Sequence, residues 1–225
     1  MDLDRCSVFF DFDGTISIDD TGVYLLERLG APEWRELDAQ YARGEIGSRQ
    51  CVGAQWDLLP HDEALVRATA AEVAIDPHFA PLVHALWDAG AEVAVVSDGF
   101  GFNVRALCDQ LGVDCYANDV DWAAWKLLHP FEDRCCACSS CGTCKQAPIK
   151  DAKRRGRTTV LVGDGVSDRK AALLADLVFA KDGLARWCDD MGAPYRPFTT
   201  LAEVYAGLFA PNSNSGSGEN SALID

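Results

Sequence analysis

A chain of 225 residues, 48% hydrophobic and 24% charged, has room for one large domain or a core with a small accessory domain, and nothing in its composition suggests general disorder. Its 35 acidic and 20 basic residues give a formal net charge of -15, which argues against a nucleic-acid backbone as the main partner, since that affinity needs clustered Lys and Arg. No stretch reaches the roughly 18 apolar residues of a membrane helix. The charged start Met1-Asp2-Leu3-Asp4-Arg5 does not read as a secretory leader, so a cytoplasmic protein with no membrane partner is expected.

The first element is a buried strand, Cys6-Ser7-Val8-Phe9-Phe10, which runs straight into Asp11-Phe12-Asp13-Gly14-Thr15. Strand side chains alternate faces, so Asp11 and Asp13 start out pointing the same way, and Gly14 lets the backbone turn. Two like charges so placed repel unless a cation or a shared proton reconciles them. The alternative is a turn at Asp13-Gly14 with Asp11 as a helix cap.

From about Asp19 to Pro77 the pattern is helical. One helix holds Val23, Leu26 and Leu29 and stops at Gly30-Ala31-Pro32; a second spans Glu33 to Arg43. A third runs from Ser48, read as its N-cap, through Val52 and Trp56 to Leu59, and a fourth covers Asp62 to Val73. Residues 18–77 thus read as a small helical subdomain inserted after the first strand.

From Phe79 onward helices and strands alternate. Helices are expected at Pro81–Ala89, Gly101–Leu111, Ala147–Arg155 and Ser167–Leu174. Strands are expected at Ala91–Val96, Val113–Ala117, Thr158–Val162 and Leu177–Ala180, and Val120–Leu128 reads as a further strand or part of a hairpin. This alternation predicts an α/β core, a Rossmann-like doubly wound parallel sheet built from residues 1–17 and 78–210. The polar tract 211–225 is expected to be a disordered tail.

Two further strands end in polar residues, Ser97-Asp98-Gly99 and Gly163-Asp164-Gly165-Val166-Ser167-Asp168. In a doubly wound sheet the carboxyl ends of neighbouring strands converge on one crevice. Singly, Ser97-Asp98-Gly99 reads as a turn and the Asp164/Asp168 pair as helix caps; three such endings together point to a site. An anionic substrate there would require the acidic chain to reverse its own field with a metal ion or a few Lys and Arg.

Asp11-Phe12-Asp13-Gly14-Thr15, Ser97, Lys145 and Gly163-Asp164-Gly165-Val166-Ser167-Asp168 resemble the four ordered motifs of the haloacid dehalogenase superfamily of phosphatases. The resemblance implies that Asp11 is the nucleophile, forming an aspartyl-phosphate, and that Asp13 is the general acid and then the base. It implies Mg²⁺ held by the Asp11 side chain, the Asp13 carbonyl and Asp164, with Asp168 in support directly or through water. It places phosphate binding at Ser97, Asp98, Gly99 and Lys145, with Lys145 also neutralising Asp11; Lys126 and Lys150 compete for that role from nearby in sequence. Asp98 stands where a small residue is common in related phosphatases, so its carboxylate is expected to point away from phosphate or cap the next helix. The second acid, Asp13, favours hydrolysis of a C–O–P bond over dehalogenation.

An insertion between the first and second motifs resembles the helical cap that closes over small phosphorylated metabolites. Arg43, Arg49 and Trp56 are candidate cap contacts, or else solvated arginines and a packed tryptophan. Cys138-x-x-Cys141-x-x-Cys144-Lys145 resembles the methionine-salvage branch acting on 2-hydroxy-3-keto-5-methylthiopentenyl-1-phosphate, whose relatives act on phosphoserine, phosphocholine or phosphoethanolamine. Cys135, Cys138, Cys141 and Cys144 recur at three-residue intervals, a spacing compatible with a structural Zn²⁺ or an iron–sulfur cluster, and equally with reduced thiols or redox-responsive pairs. A phosphomutase and a cysteine-rich metal or redox module are the competing readings. The spacing says nothing of oligomeric state.

Overall fold

The computed structural model describes residues 1–131 and 140–210. In chain order the elements are β1 (Cys6–Phe10), α1 (Thr21–Leu29), α2 (Trp34–Ala42), α3 (Ser48–Trp56), α4 (Glu63–Ala70), α5 (Phe79–Asp88), β2 (Glu92–Ser97), α6 (Phe102–Leu111) and β3 (Asp114–Ala117). They continue with β4 (Asp119–Asp121), β5 (Lys126–Leu128), α7 (Gln146–Arg154), β6 (Thr158–Gly163), α8 (Arg169–Ala172), β7 (Leu177–Ala180), α9 (Asp182–Met191), β8 (Arg196–Pro197) and α10 (Leu201–Phe209).

Six strands form one sheet in the order β3-β2-β1-β6-β7-β8, every pair parallel. All five residues of β1 are buried, as a central strand covered on both faces requires. One face carries Phe10, Val95 and Val162 against α5, α6 and α10, through Phe79, Leu82, Val104, Leu201 and Leu208. The other carries Phe9, Val96 and Leu161 against Ile149 of α7 and Ala171 of α8. Each such side chain contributes about 1.5–3 kcal/mol by leaving water. The register sets Phe10 beside Val95 of β2 and Val162 of β6, so the three chains leave the sheet side by side. The sheet is the doubly wound one that the alternation predicts.

Helices α1–α4 leave and rejoin this core through a narrow neck. Ser17 bridges Ile75 antiparallel, Ile18 N–H donates to Ala74 at 2.8 Å, and Asp76 N–H donates to Ile16 at 2.8 Å. Asp20 caps α1 by accepting from Val23 N–H at 2.9 Å, and Asp62 caps α4 by accepting from Leu65 N–H at 3.0 Å. Ser48 is not the cap expected of it: Gly47 holds that position and Ser48 is the first helical residue. Trp56 packs inward rather than lining a substrate surface. It stacks on Trp125 with ring centroids 4.9 Å apart and meets Phe100, Phe102 and Trp122 edge-on. The segment 120–128 is the antiparallel hairpin β4–β5, and Val120 and Leu127 join Leu25, Leu26, Trp34 and Val66 in one cluster. Hairpin and helices therefore share a core.

The helix expected at Ser167–Leu174 divides into a 3₁₀ turn, Val166–Asp168, followed by α8. The segment expected to form the tail, 211–225, lies outside the described residues. Among the described residues no helix is long and apolar enough to cross a membrane.

Candidate active site

The carboxyl ends of β1, β2 and β6 meet as the sequence requires. Asp11 N–H donates to the Val162 carbonyl at 2.9 Å, fixing the acidic loop beside β6. Asp11, Asp164 and Asp168 each present an oxygen, and these oxygens lie within 4.8 Å of one another. Lys145, immediately before α7, reaches into the group: its Nζ lies 2.6 Å from Asp11 Oδ1 and 2.8 Å from Asp168 Oδ1, with the side chain only 2% exposed. Lys126 is exposed on the hairpin and Lys150 lies half-buried on α7.

Electrostatics follow from this crowding. Burial, then the Asp168 charge, pushes Asp11 well above the ordinary carboxylate range despite Lys145. Burial and Asp168 raise Asp164 to about 6, and burial and Asp20 raise Asp13 to about 7. Burial would lower Lys145, but Asp11 and Asp168 outweigh it and hold its ammonium far above the usual range. Three oxygen donors that repel one another and face one fixed cation form a donor set suited to a hard divalent ion. The loop is shaped for it. Gly14 has φ +72°, and a Cβ there would fall 2.7 Å from Asp164 Oδ2, so glycine alone allows that carboxylate its approach.

Smaller groups position these acids. Asp168 Oδ2 accepts from the N–H groups of Asp164 (3.3 Å) and Gly165 (3.2 Å), tying the 164–168 turn to the carboxylate that holds Lys145. Thr15 Oγ1 donates to Asp164 Oδ1 at 2.8 Å, and Thr21 N–H donates to Asp13 Oδ1 at 3.1 Å. Neither threonine was singled out by the sequence, although Thr15 closes the first motif.

Ser97 is fully buried, and its Oγ accepts from Gly99 N–H at 3.2 Å. The other carboxylate oxygen of Asp13 packs so closely on Gly99 that any Cβ there would overlap it. Asp98 neither caps α6, whose N-cap is Gly101, nor stands free. Its carboxylate accepts from the Ser48 hydroxyl of α3 and, at 2.7 Å, from Thr143 N–H. Asn118 braces the same turn by donating to the carbonyls of Asp98 (3.1 Å) and Gly99 (2.7 Å).

A cavity of about 230 Å³ opens onto Asp11, Asp13, Asp98, Gly99 and Asp164. Much of its remaining wall comes from the helical insertion, notably Val23, Asp38, Tyr41, Cys51, Val52 and Gln55. Arg43 is not part of that wall; it pairs with Glu36 and Glu45 at the surface. Arg49 donates to the Cys141 carbonyl at 3.3 Å. Of the thiols read as a metal set, Cys135 and Cys138 lie outside the described residues, while Cys141 is half-buried and Cys144 buried. Among the described residues the acidic triad is the group arranged to hold a metal, and no thiol belongs to it.

The haloacid dehalogenase-like hydrolase family matches residues 8–173. A protein of Bacillus velezensis named 2-hydroxy-3-keto-5-methylthiopentenyl-1-phosphate phosphatase is 28% identical over 214 residues, covering 89% of this chain and 88% of that one. One of the same name from Bacillus cereus is 29% identical over 210 residues, 89% of this chain and 94% of the relative. Among solved structures, phosphoserine phosphatase from T. onnurineus aligns with a TM-score of 0.69 at 21% identity, over 92% of this chain and 96% of that one, a likeness of fold. With the family match spanning the acidic loops, Lys145 and the sheet that gathers them, the chain belongs to the haloacid dehalogenase-like hydrolases.

Proposed function

We propose that this chain is a Mg²⁺-dependent phosphatase of a small phosphorylated metabolite, working through an aspartyl-phosphate on Asp11. The substrate to which the names of its relatives point is 2-hydroxy-3-keto-5-methylthiopentenyl-1-phosphate. The observation that carries the reading is Lys145 buried between Asp11 and Asp168, behind the Asp11 and Asp164 carboxylates that line a cavity of metabolite size.

Asp11 Oδ1 is held by Lys145 and by Phe12 N–H at 2.7 Å. The carboxylate attacks phosphorus; the P–O bond to the alcohol breaks, and the leaving alkoxide takes a proton from Asp13. Asp13, now a carboxylate, removes a proton from water, whose oxygen attacks phosphorus and returns Asp11 with release of inorganic phosphate. A proton affinity near neutrality suits a group that must give and then take a proton. Lys145 stays an ammonium throughout and offsets charge on Asp11 and the phosphoryl oxygens. Asp11, Asp164 and the Asp13 carbonyl would hold Mg²⁺, with Asp168 supporting; the ion supplies charge neutralisation to the phosphoryl group. Ser97 and the backbone around Gly99 would receive a phosphoryl oxygen. Residues 18–77 would act as the cap, excluding water and choosing the alcohol.

The purified protein is expected to release phosphate from 4-nitrophenyl phosphate with Mg²⁺ and to stop when EDTA removes it. Asp11→Asn, tested beside it, should lose activity by at least about 10³-fold. Undiminished turnover in Asp11→Asn would refute the nucleophile. A panel ranked by kcat/KM that includes the methionine-salvage enol phosphate and phosphoserine settles the substrate.

A further inference from the structure

The cavity wall contributed by α2 and α3 holds polar groups that no step above uses. Gln55 is 7% exposed and lines the cavity, and its amide makes no hydrogen bond among the described residues. Its amide, with two donors and an acceptor, opens onto the cavity and is free to meet a ligand there. Tyr41 is half-buried on the same wall, and among the described residues its hydroxyl is likewise unpaired. Asp38, one helical turn before Tyr41, presents a carboxylate with neither a cation nor a donor against it among the described residues. Between them Val23, Cys51, Val52 and Phe100 supply apolar surface.

We infer that Gln55, Tyr41 and Asp38 form the subsite that reads the alcohol half of the substrate, selecting leaving groups with hydroxyl or carbonyl oxygens and rejecting those with a carboxylate. The inference rests on the phosphatase reading and narrows it. A hydroxyl can donate to Asp38 and exchange hydrogen bonds with the Gln55 amide and Tyr41. A carboxylate, an acceptor only, would face Asp38 with no counter-charge. Among the described residues no Lys or Arg lines the cavity, and the ammonium of Lys145 is taken up by Asp11 and Asp168. Two carboxylates that face each other with no cation between them repel. The apolar patch tolerates a hydrocarbon or thioether portion of the alcohol.

Glycerol 3-phosphate and 3-phosphoglycerate test this, because they differ by a carboxylate in place of a hydroxymethyl group. Each is measured as a competitive inhibitor of 4-nitrophenyl phosphate hydrolysis by the Mg²⁺-loaded protein. Glycerol 3-phosphate is expected to bind at least about 30-fold more tightly. Asp38→Asn, at an exposed position that tolerates substitution, should cut that ratio by about tenfold, chiefly through tighter binding of 3-phosphoglycerate. Gln55→Leu should weaken glycerol 3-phosphate by about tenfold. Equal inhibition by the two esters, inhibition by neither, or a ratio unmoved in Asp38→Asn would overturn the subsite while leaving the phosphatase reading intact. Failure to hydrolyse the aryl phosphate at all would instead bring down the phosphatase reading, and this one with it.

Discussion

Asp98 joins the helical insertion to the loop that carries Lys145, and removing one hydrogen bond there should be felt in substrate binding. Its two carboxylate oxygens are used separately: one accepts from Ser48 at the start of α3, the other from Thr143 N–H, two residues before Lys145. Both Ser48 and Asp98 are more than nine-tenths buried. A hydrogen bond to a buried charge contributes about 1.5–3 kcal/mol. Ser48→Ala deletes the insertion side of the latch and leaves Thr143 in place. If the bond favours the arrangement in which α3 walls the cavity, its loss changes that equilibrium by about 10- to 150-fold. KM for 4-nitrophenyl phosphate should rise by up to this factor while kcat falls little. Asp98→Asn should lower kcat as well, since it also loosens the segment leading into Lys145. A double-mutant cycle on KM between Ser48→Ala and Asp98→Asn should return a coupling above about 1 kcal/mol. A KM within twofold of the parent in Ser48→Ala, with coupling below about 0.5 kcal/mol, would refute the latch.

Two further outcomes concern stability. Trp56→Ala should cost about 3–5 kcal/mol in urea unfolding, because it empties the centre of the cluster shared by α3 and the hairpin; a loss under about 1 kcal/mol would mean that the shared core is not load-sharing. Asp76 accepts from Leu201 N–H at 2.9 Å and His78 N–H at 2.8 Å, tying α10 to the start of α5. Burial pushes its carboxyl up, but those donors prevail and hold it below the ordinary range. Its contribution is therefore complete above the unfolded carboxyl's pKa of about 4 and disappears as pH falls through the lower folded value. The gap in unfolding free energy between the parent and Asp76→Asn should shrink as pH falls below about 4. A gap that widens in acid would contradict this.

The strands β1, β2, β6 and β7 were legible because each is largely an apolar run, and they fall within one or two residues of the expected limits. Helices α1–α4 were legible from their 3.6-residue period. Beyond Ala180 three elements escaped notice, though Leu201, Val204 and Leu208 in α10 carry a helical spacing and are all buried. What no local pattern holds is partnership. Trp56 meets Trp125 across 69 residues, and Asp98 meets Ser48 and Thr143 across 50 and 45. Period and propensity report on a residue's own element, so a packed tryptophan and a substrate-facing one look the same in sequence. The choice of Lys145 over Lys126 and Lys150 likewise needed three dimensions, or a family motif standing in for them.

The charge of the site gives the strongest physical reason for a divalent ion. Six aspartates line the cavity, Asp11, Asp13, Asp20, Asp38, Asp98 and Asp164, on a chain already at -15. At its phosphoryl end Asp11, Asp164 and Asp168 carry three formal negative charges against one on Lys145, a balance of -2 before any substrate arrives. A phosphate monoester adds up to two more in a space where low polarity magnifies every interaction. Protonating the aspartates would relieve the repulsion but would remove the carboxylate proposed to attack phosphorus. One divalent cation held by the three oxygens would offset the -2 and leave Asp11 ionised, while Asp98 is held by its own two donors. The proposed nucleophile and its substrate, both anions, could then meet in an acidic cavity, because the neutralisation would be confined to the few ångströms around Asp11, Asp164 and Lys145.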